Sequence, residues 1–348
     1  MIGVANRLSE TVPVDLVLIR RSGPFLSEVG PRVNIVDLGA GKVRKALLPL
    51  RRYMRHARPD LLVSAGLATD LPALVGKAVF RWPTHLHISF QNNPTASAGL
   101  DETTPHWPLM IKTFYRFGNS YSAISNGVAR SVERLLGKSE GALRVIHNPV
   151  DIGMVARRAA ERPEHPWLAE KSGPVILAAG RLVRQKDFST LLKAFASVHG
   201  RRSDARLIII GEGGERDRLE AEAASLGVSE AVSFPGFSAN PFSAMAAADV
   251  FALSSQWEGF ANVVAEAIAC GTSVVSTDCP SGPAEILEDG RWGLLVPPGD
   301  AEAMAAALLN SLETPADPAA LKRRAQAFAL ESTAEEYREM FRRLGVSV

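Results

Sequence analysis

SSQWEGFANVVAEAIACGTSVVSTDCPSGPAEIL, residues 254–287, decides the reading of this chain. An apolar run at 250–253 precedes it, and within it a glycine-bearing loop leads into an alanine-rich helical segment and a second β-branched run at 273–276. Strand, loop, helix and strand make the βαβ unit of a parallel sheet. Ligands of open α/β sheets bind outside the carboxyl ends of strands, so Glu258 stands in the loop where a ligand would sit. Glu266 follows after seven residues, near the start of the helix. A carboxylate accepts hydroxyl hydrogen bonds at both oxygens, so one Glu can hold adjacent sugar hydroxyls and the other the two hydroxyls of a ribose. The helix N-terminus and the amides around Gly259 and Phe260 offer positive potential to phosphate oxygens. Taken alone, such a pair is more often two solvated acids; the surrounding residues reverse that.

The same alternation runs along the whole chain. Short strand-like runs stand at 14–19, 33–37, 61–64, 86–90, 122–124 and 144–146, then at 174–178, 206–210, 232–234, 250–253, 273–276 and 294–296, with helical stretches between them. Runs such as RLIIIG and PVILAAG suit strands covered on both faces. The 348 residues suffice for two domains, each with its own core. These are expected at 1–150 and 171–330, joined by a Pro- and charge-rich linker at 151–170. A last amphipathic helix in 331–348 is expected to pack back toward the first domain.

Composition narrows the class. With 46% hydrophobic and 22% charged residues, the chain reads as soluble and globular, not disordered, collagen-like or disulfide-stapled. Cys270 and Cys279 stand in no metal or redox spacing, which fits a reducing cytoplasm. No apolar run reaches the ~18 residues of a membrane span, and the first residues lack a secretory pattern. The net charge of +2 hides an asymmetry: residues 1–150 carry 19 Lys and Arg against 10 Asp and Glu, the remainder 20 against 27, so the halves are +9 and −7. The basic excess concentrates at 41–60, where Lys42, Arg44, Lys45, Arg51, Arg52, Arg55 and Arg58 meet no acid between Asp37 and Asp60. Leu47, Leu50, Tyr53, Met54 and Ala57 form one helical arc with Arg44, Arg51, Arg55 and Arg58 on its flank. That is an amphipathic helix beginning near Leu48, packed on its domain and able to offer cations to an anionic membrane surface; an ordinary solvated face explains the same charges equally well. Nucleic acid is not an expected partner.

Two further segments carry chemistry. In GRLVRQKDF, residues 180–188, Arg181 and Lys186 flank a turn at the carboxyl end of a strand, where two cations neutralise a diphosphate and stabilise it as a leaving group. In GEGGERDRLE, residues 211–220, Gly211, Gly213 and Gly214 let backbone approach a ligand closely. The full G-x-G-x-x-G is absent, as is the Walker lysine motif, which weighs against an NTPase.

Together these residues resemble the family-4 retaining glycosyltransferases, the glycosyl transferases group 1, whose GT-B fold has two Rossmann-like domains facing across a cleft. The resemblance runs through Gly180-Arg181-Leu182, Lys186, Gly211-Glu212-Gly213, Pro235-Gly236, Glu258-Gly259-Phe260, Glu266-Ala267, Gly271, Asp278, the run Ser281–286 and Leu295-Val296-Pro297, nearly all of 174–300. It implies that Arg181 and Lys186 bind the donor diphosphate, with Gly211 and Gly213 beside the donor. It further implies that Glu266 binds the ribose, and that Glu258 with the Gly259 and Phe260 amides binds the transferred sugar. Transfer would be retaining, metal-independent and without a cofactor, the nucleotide sugar being a co-substrate. No Asp-x-Asp occurs in the sequence, in keeping with this.

The first half resembles the family more weakly. Where many members carry a His near the transferred sugar, this chain reads HISFQNNP, placing Gln91 there with Asn92 and Asn93 as further sugar or acceptor contacts. Gln can hydrogen-bond a hydroxyl but cannot relay a proton near neutral pH. His87, on the same strand face as Gln91, reads better as a satisfied core histidine than as a displaced functional one. His147-Asn148-Pro149 resembles the junction from strand to linker. The resemblance also implies a strand, a glycine-rich loop and a long helix ending in a stretch like Ala5-Asn6-Arg7-Leu8-Ser9-Glu10, and only that last stretch is present. The first domain is therefore expected to lack its first, central strand and that loop, about 20–30 residues at usual element lengths.

The resulting expectation is a cytoplasmic transferase, compatible with a peripheral place at the inner membrane face. It would move a sugar from a uridine-linked donor to a glycan or lipid-linked acceptor in surface polysaccharide or glycolipid synthesis. Two rivals share the motifs: a nucleotide-sugar epimerase of the same fold, against which the spacing of Glu258 and Glu266 argues, and an inactive sugar-nucleotide-binding remnant.

Overall fold

The computed structural model describes residues 1–97, 109 and 113–346. The protein is α/β throughout, and the chain divides into two compact units, Met1–Pro149 with the segment from Leu330, and Val150–Ala329. Each of the twelve strand-like runs forms a strand, displaced by at most two residues at either end.

In the first unit the strands are β1 (Val14–Leu18), β2 (Val33–Asp37), β3 (Leu61–Ser64), β4 (His85–Phe90), β5 (Ser120–Ala123) and β6 (Arg144–Val145). All pair in parallel, but in two sheets: β1 with β2, and β3-β4-β5-β6. Among the described residues β1 pairs only with β2 and β3 only with β4, so each leaves one ladder edge open. Side chains of β1 and β3 still share a core, since Val14, Leu61 and Val63 all pack against the cluster of Val4, Ile146, Tyr337 and Phe341. That cluster joins helix Ile2–Leu8 to the last helix, Leu330–Arg343, and the Arg7–Glu331 ion pair and the Arg338 Nη2 bond to the Arg7 carbonyl (2.8 Å) reinforce it.

The basic segment folds as helix Leu47–Ala57, which buries Leu50 and Met54 and ends at Arg58 in the left-handed region. All seven predicted cations are exposed, and so is Leu48, at 68% of its surface. The Arg51 guanidinium lies 4.5 Å from the centre of the Phe80 ring, on the neighbouring helix Leu67–Phe80.

The second unit holds β7 (Val175–Ala179), β8 (Arg206–Ile210), β9 (Val232–Gly236), β10 (Val250–Leu253), β11 (Ser273–Thr277) and β12 (Leu294–Val296). They form one parallel sheet in the order β12-β11-β10-β7-β8-β9. β7, β10 and β11 are buried along their whole length, as strands covered by helices on both faces must be. The chain leaves β7 toward β8 on one side and returns to β10 on the other, so the topological switch point lies between β7 and β10.

One expectation needs correction. The stretch 151–170, read as a linker, contains helices Ile152–Ala159 and Pro166–Ala169 and is built into the second unit. Asp151 caps the first by accepting from the Met154 amide at 2.8 Å, and Val155 and Leu168 are buried. Arg158 and Asn240 then tie this segment to the loop before helix Pro241–Ala247, through Arg158 Nη1 to the Ala239 carbonyl and Asn240 Nδ2 to the Arg158 carbonyl. With so few apolar residues between prolines and charges, the helical period does not show.

Candidate active site

At the carboxyl end of β7 the chain turns through Leu182, which is wholly buried and anchors the loop, and a single 3-10 turn, Arg184–Lys186. Asp187 then takes a left-handed conformation (φ 45°) and caps helix Phe188–Arg201, accepting from the amide and hydroxyl of Thr190. At the carboxyl end of β10 two consecutive hydroxyls, Ser254 and Ser255, are buried. Ser254 Oγ donates to the Lys186 carbonyl at 2.7 Å and Ser255 Oγ to Glu258 Oε1 at 2.7 Å. Lys186 Nζ in turn lies 2.5 Å from the same Glu258 oxygen, the two side chains being only 13% and 9% exposed. Gln185 Nε2 donates to the Trp257 carbonyl and the Glu258 amide to the Pro280 carbonyl, so the loops after β7, β10 and β11 are stitched together at the switch point.

Lys186 and Glu258 are thus brought into direct contact. Two charges withdrawn from water in this way need each other, because either one left alone would carry an uncompensated desolvation cost. Arg181 stands apart: it is exposed and makes no ion pair among the described residues.

Glu266 lies on helix Asn262–Cys270, half-buried, one turn before Cys270. No ion pair or hydrogen bond reaches it among the described residues, and desolvation pushes its pKa up to about 7. A folded-state value above the ordinary carboxylate range means that ionising Glu266 costs stability as pH rises toward and through 7. A ligand offering two hydroxyls would repay that cost.

Gly211 and Gly213 use their missing side chains on the protein's own backbone. Gly211 has φ +139°, and a Cβ there would stand 1.9 Å from the Gly180 carbonyl oxygen; one on Gly213 would stand 2.3 Å from that of Leu182. The loops after β7 and β8 therefore run in contact, joined by the Leu182 amide to the Glu212 carbonyl at 2.8 Å. Phe260 sends its ring into the core against Phe328 (centroids 5.4 Å apart), so what it has to offer a ligand is backbone. Ala261, left-handed at φ 69°, begins helix Asn262–Cys270 without a side-chain cap.

In the first unit Gln91, Asn92 and Asn93 follow β4. Gln91 is partly exposed and donates from Nε2 to Ser89 Oγ at 2.9 Å, and Asn92 is exposed. Asn93 is buried and its Oδ1 accepts from the amide and hydroxyl of Thr95, a local cap for helix Pro94–Ser97. His87 is fully buried with both ring nitrogens bonded to serine hydroxyls, as the core reading requires. The reading from sequence missed Ser254 and Ser255; their signal was a pair of hydroxyls set directly after an apolar strand.

Residues 161–328 match the family described as glycosyl transferases group 1. LpsE, a lipopolysaccharide core biosynthesis glycosyltransferase of Rhizobium meliloti, is 39% identical over 205 residues, 57% of this chain and 57% of LpsE. The chain therefore spans little more than half the length of that relative. A phosphatidyl-myo-inositol mannosyltransferase of Mycolicibacterium smegmatis is 37% identical over 311 residues, which cover 79% of this chain and 77% of that enzyme. Among solved structures, Anabaena HepE in complex with UDP-glucose has a similar fold, with a TM-score of 0.81 at 21% identity over 98% of this chain and 94% of HepE. A switch point lined by a lysine and a glutamate, a second glutamate on the next helix and these matches lead to one conclusion: the chain belongs to the glycosyl transferases group 1 family.

Proposed function

We propose that the chain is a retaining, metal-independent glycosyltransferase that moves a sugar from a uridine-linked nucleoside diphosphate to a lipid-linked or glycan acceptor, in lipopolysaccharide or glycolipid synthesis. The observation that carries this reading is the Lys186–Glu258 pair at the switch point, with Glu266 on the following helix. Arg181 and Lys186 take the diphosphate and stabilise it as it leaves. Glu258, released from Lys186 as the diphosphate arrives, accepts the hydroxyls of the transferred sugar, and Glu266 accepts those of the ribose. Gln91, with the exposed Asn92, serves the sugar or acceptor side, whereas Asn93 is buried and caps its own turn. Uridine is favoured because HepE, of like fold, is solved with UDP, and a lipid-linked or glycan acceptor because LpsE builds lipopolysaccharide core and the mycobacterial relative acts on phosphatidyl-myo-inositol.

Titration calorimetry with UDP, GDP and ADP at pH 6 and pH 8 tests the donor site. If the ribose is held by ionised Glu266, with its pKa near 7, UDP binds about ten-fold more tightly at pH 8 than at pH 6, and Glu266→Gln flattens the difference. Absence of binding by all three nucleotides sinks the assignment. Binding without transfer to any lipid-linked acceptor favours the inactive remnant.

No helix among the described residues is long and apolar enough to cross a membrane. Exposed Leu48 shares one face of its helix with Arg51, Arg52 and Arg55, which suits a helix lying on an anionic surface. Vesicles containing phosphatidylglycerol are expected to bind the protein in a salt-sensitive manner, and Arg51→Glu with Arg55→Glu to abolish that binding. Co-sedimentation that is indifferent to both salt and these changes removes the membrane from the reading.

A further inference from the structure

The loop 258–260 is held from outside, by residues far along the chain. Gly282, at φ +107°, presses against it, since a Cβ there would stand 2.1 Å from the Phe260 carbonyl oxygen. Helix Pro283–Ile286 begins at that contact. Its other end breaks off abruptly, because Glu288, Asp289 and Gly290 all take positive φ (45°, 53° and 97°). The Asp289 and Gly290 amides therefore turn to the Ala284 and Leu287 carbonyls. In a continuing α-helix those two amides would serve the Glu285 and Ile286 carbonyls, which must find donors elsewhere.

Arg324 supplies them. It projects from helix Pro318–Ala325 with its side chain 15% exposed, and donates from Nε to the Ile286 carbonyl at 2.9 Å and from Nη2 to the Glu285 carbonyl at 2.8 Å. Nη1 lies 3.0 Å from Glu288 Oε1, so all three guanidinium nitrogens are engaged. The same group lies over the Phe328 ring, 4.8 Å from its centre. Phe328 meets the Phe260 ring edge-on, and both rings are buried. One side chain thus holds the helix that leans on the Phe260 carbonyl and the ring that backs the Phe260 side chain. A planar fork can do both; a lysine ammonium is a point charge that neither bridges two successive carbonyls in this way nor lies flat on a ring.

We infer that Arg324 is a positioning residue for the transferred sugar: through helix Pro283–Ile286 and through Phe328, it fixes where the Gly259 and Phe260 amides point. This rests on the reading of loop 258–260 as the part of the donor site that faces the sugar. The loop needs such a support, because Ala261 directly after it is left-handed at φ 69°, a conformation that persists only where its surroundings impose it. Arg324 makes no hydrogen bond or ion pair with Lys186 or Glu266 among the described residues. Loss of the clamp should therefore be felt by the sugar and not by the nucleotide.

The full chain labelled with 15N-phenylalanine tests the first step without any ligand, the Phe260 amide resonance being assigned by its loss in Phe260→Leu. Arg324→Lys keeps the charge and loses the fork, and is expected to shift the Phe260 resonance while that of Phe195, in the core of the same unit, stays in place. Glu288→Gln removes the ion pair but leaves both carbonyl bonds, so Phe260 should not move. Calorimetry reads the second step. For whichever of UDP-glucose, UDP-galactose and UDP-N-acetylglucosamine the parent binds, Arg324→Lys is expected to lose about ten-fold in affinity, on the scale of one hydrogen bond, with UDP itself unchanged. Arg324→Gln, which can still serve one carbonyl, is held to the same outcomes should Arg324→Lys fail to fold. An unmoved Phe260 in a folded variant overturns the inference, as does a Phe195 shift of equal size or an equal loss for UDP and UDP-sugar, the result of a merely structural staple. Failure of the parent to bind UDP or any of these sugars counts against the proposed function, and the Phe260 resonance then decides the clamp by itself.

Discussion

Lys186→Ala is expected to weaken UDP binding by ~1.5–3 kcal/mol, roughly 10- to 150-fold, the contribution of a hydrogen bond to a charged group. The same substitution strands Glu258, whose side chain is 9% exposed and keeps, among the described residues, only the Ser255 hydroxyl as a side-chain partner. Breaking a buried pair from one side costs about 3–5 kcal/mol, so the unliganded protein should lose stability in a denaturant titration as well as affinity. Glu258→Gln is expected to behave in the opposite sense toward the nucleotide. The amide can still accept from Ser255, but it removes the negative charge that competes with the diphosphate for Lys186. UDP affinity should therefore be kept or improved, while sugar transfer falls by about 100-fold or more for want of a carboxylate on the sugar hydroxyls. Calorimetry and a transfer assay on the two variants separate these outcomes. Equal losses of UDP affinity in both would show that Lys186 and Glu258 act as one binding unit, and the competition argument would fail.

The residues of this contact stand 72 positions apart, and what was legible of them was instructive. Each could be placed at the carboxyl end of a strand, because strand runs at 174–178 and 250–253 are unambiguous in periodicity and composition. Their meeting was not legible, since it depends on β7 and β10 being neighbours in the sheet, and pattern along one strand says nothing of which strand lies beside it. The glycines show the same limit from another side. That Gly211 and Gly213 permit close approach follows from the residue type; that the approaching group is the Gly180–Leu182 backbone is a property of the packed loops. Helix Ile152–Ala159 was hidden because its helical period is too short to rise above the flanking charges and prolines. Asn93 and Gln91 look alike in HISFQNNP, yet one caps its own turn and the other donates to the buried Ser89 hydroxyl.

Gly211→Ala is expected to destabilise the second unit by more than ~3 kcal/mol, because two independent penalties coincide there. At φ +139° an L side chain is strained whatever space it has, and the Cβ would stand 1.9 Å from the Gly180 carbonyl oxygen, an atom of backbone that cannot rotate away. Relief requires the loops after β7 and β8 to part, and the Gly180 amide bond to the Ile210 carbonyl (2.9 Å) holds them together at that point. For a unit of this size such a loss should lower the melting temperature by roughly 6–12 °C. Gly214 is the matched control. It lies in the same glycine-rich turn, but nothing outside its chain neighbours stands within 4 Å of a Cβ there and its φ lies outside the left-handed range that strains an L side chain. Gly214→Ala should therefore fall within about 0.5 kcal/mol of the parent. The contrast also separates two uses of glycine in this turn. Lys186 carbons lie 3.2–3.5 Å from a Cβ position on Gly180, so a displaced Gly180 carries the diphosphate lysine with it. Gly211→Ala should then weaken UDP binding even under conditions where the variant stays folded, and Gly214→Ala should not. If the two variants melt alike and bind UDP alike, the loop contact is not what the glycine at 211 is for.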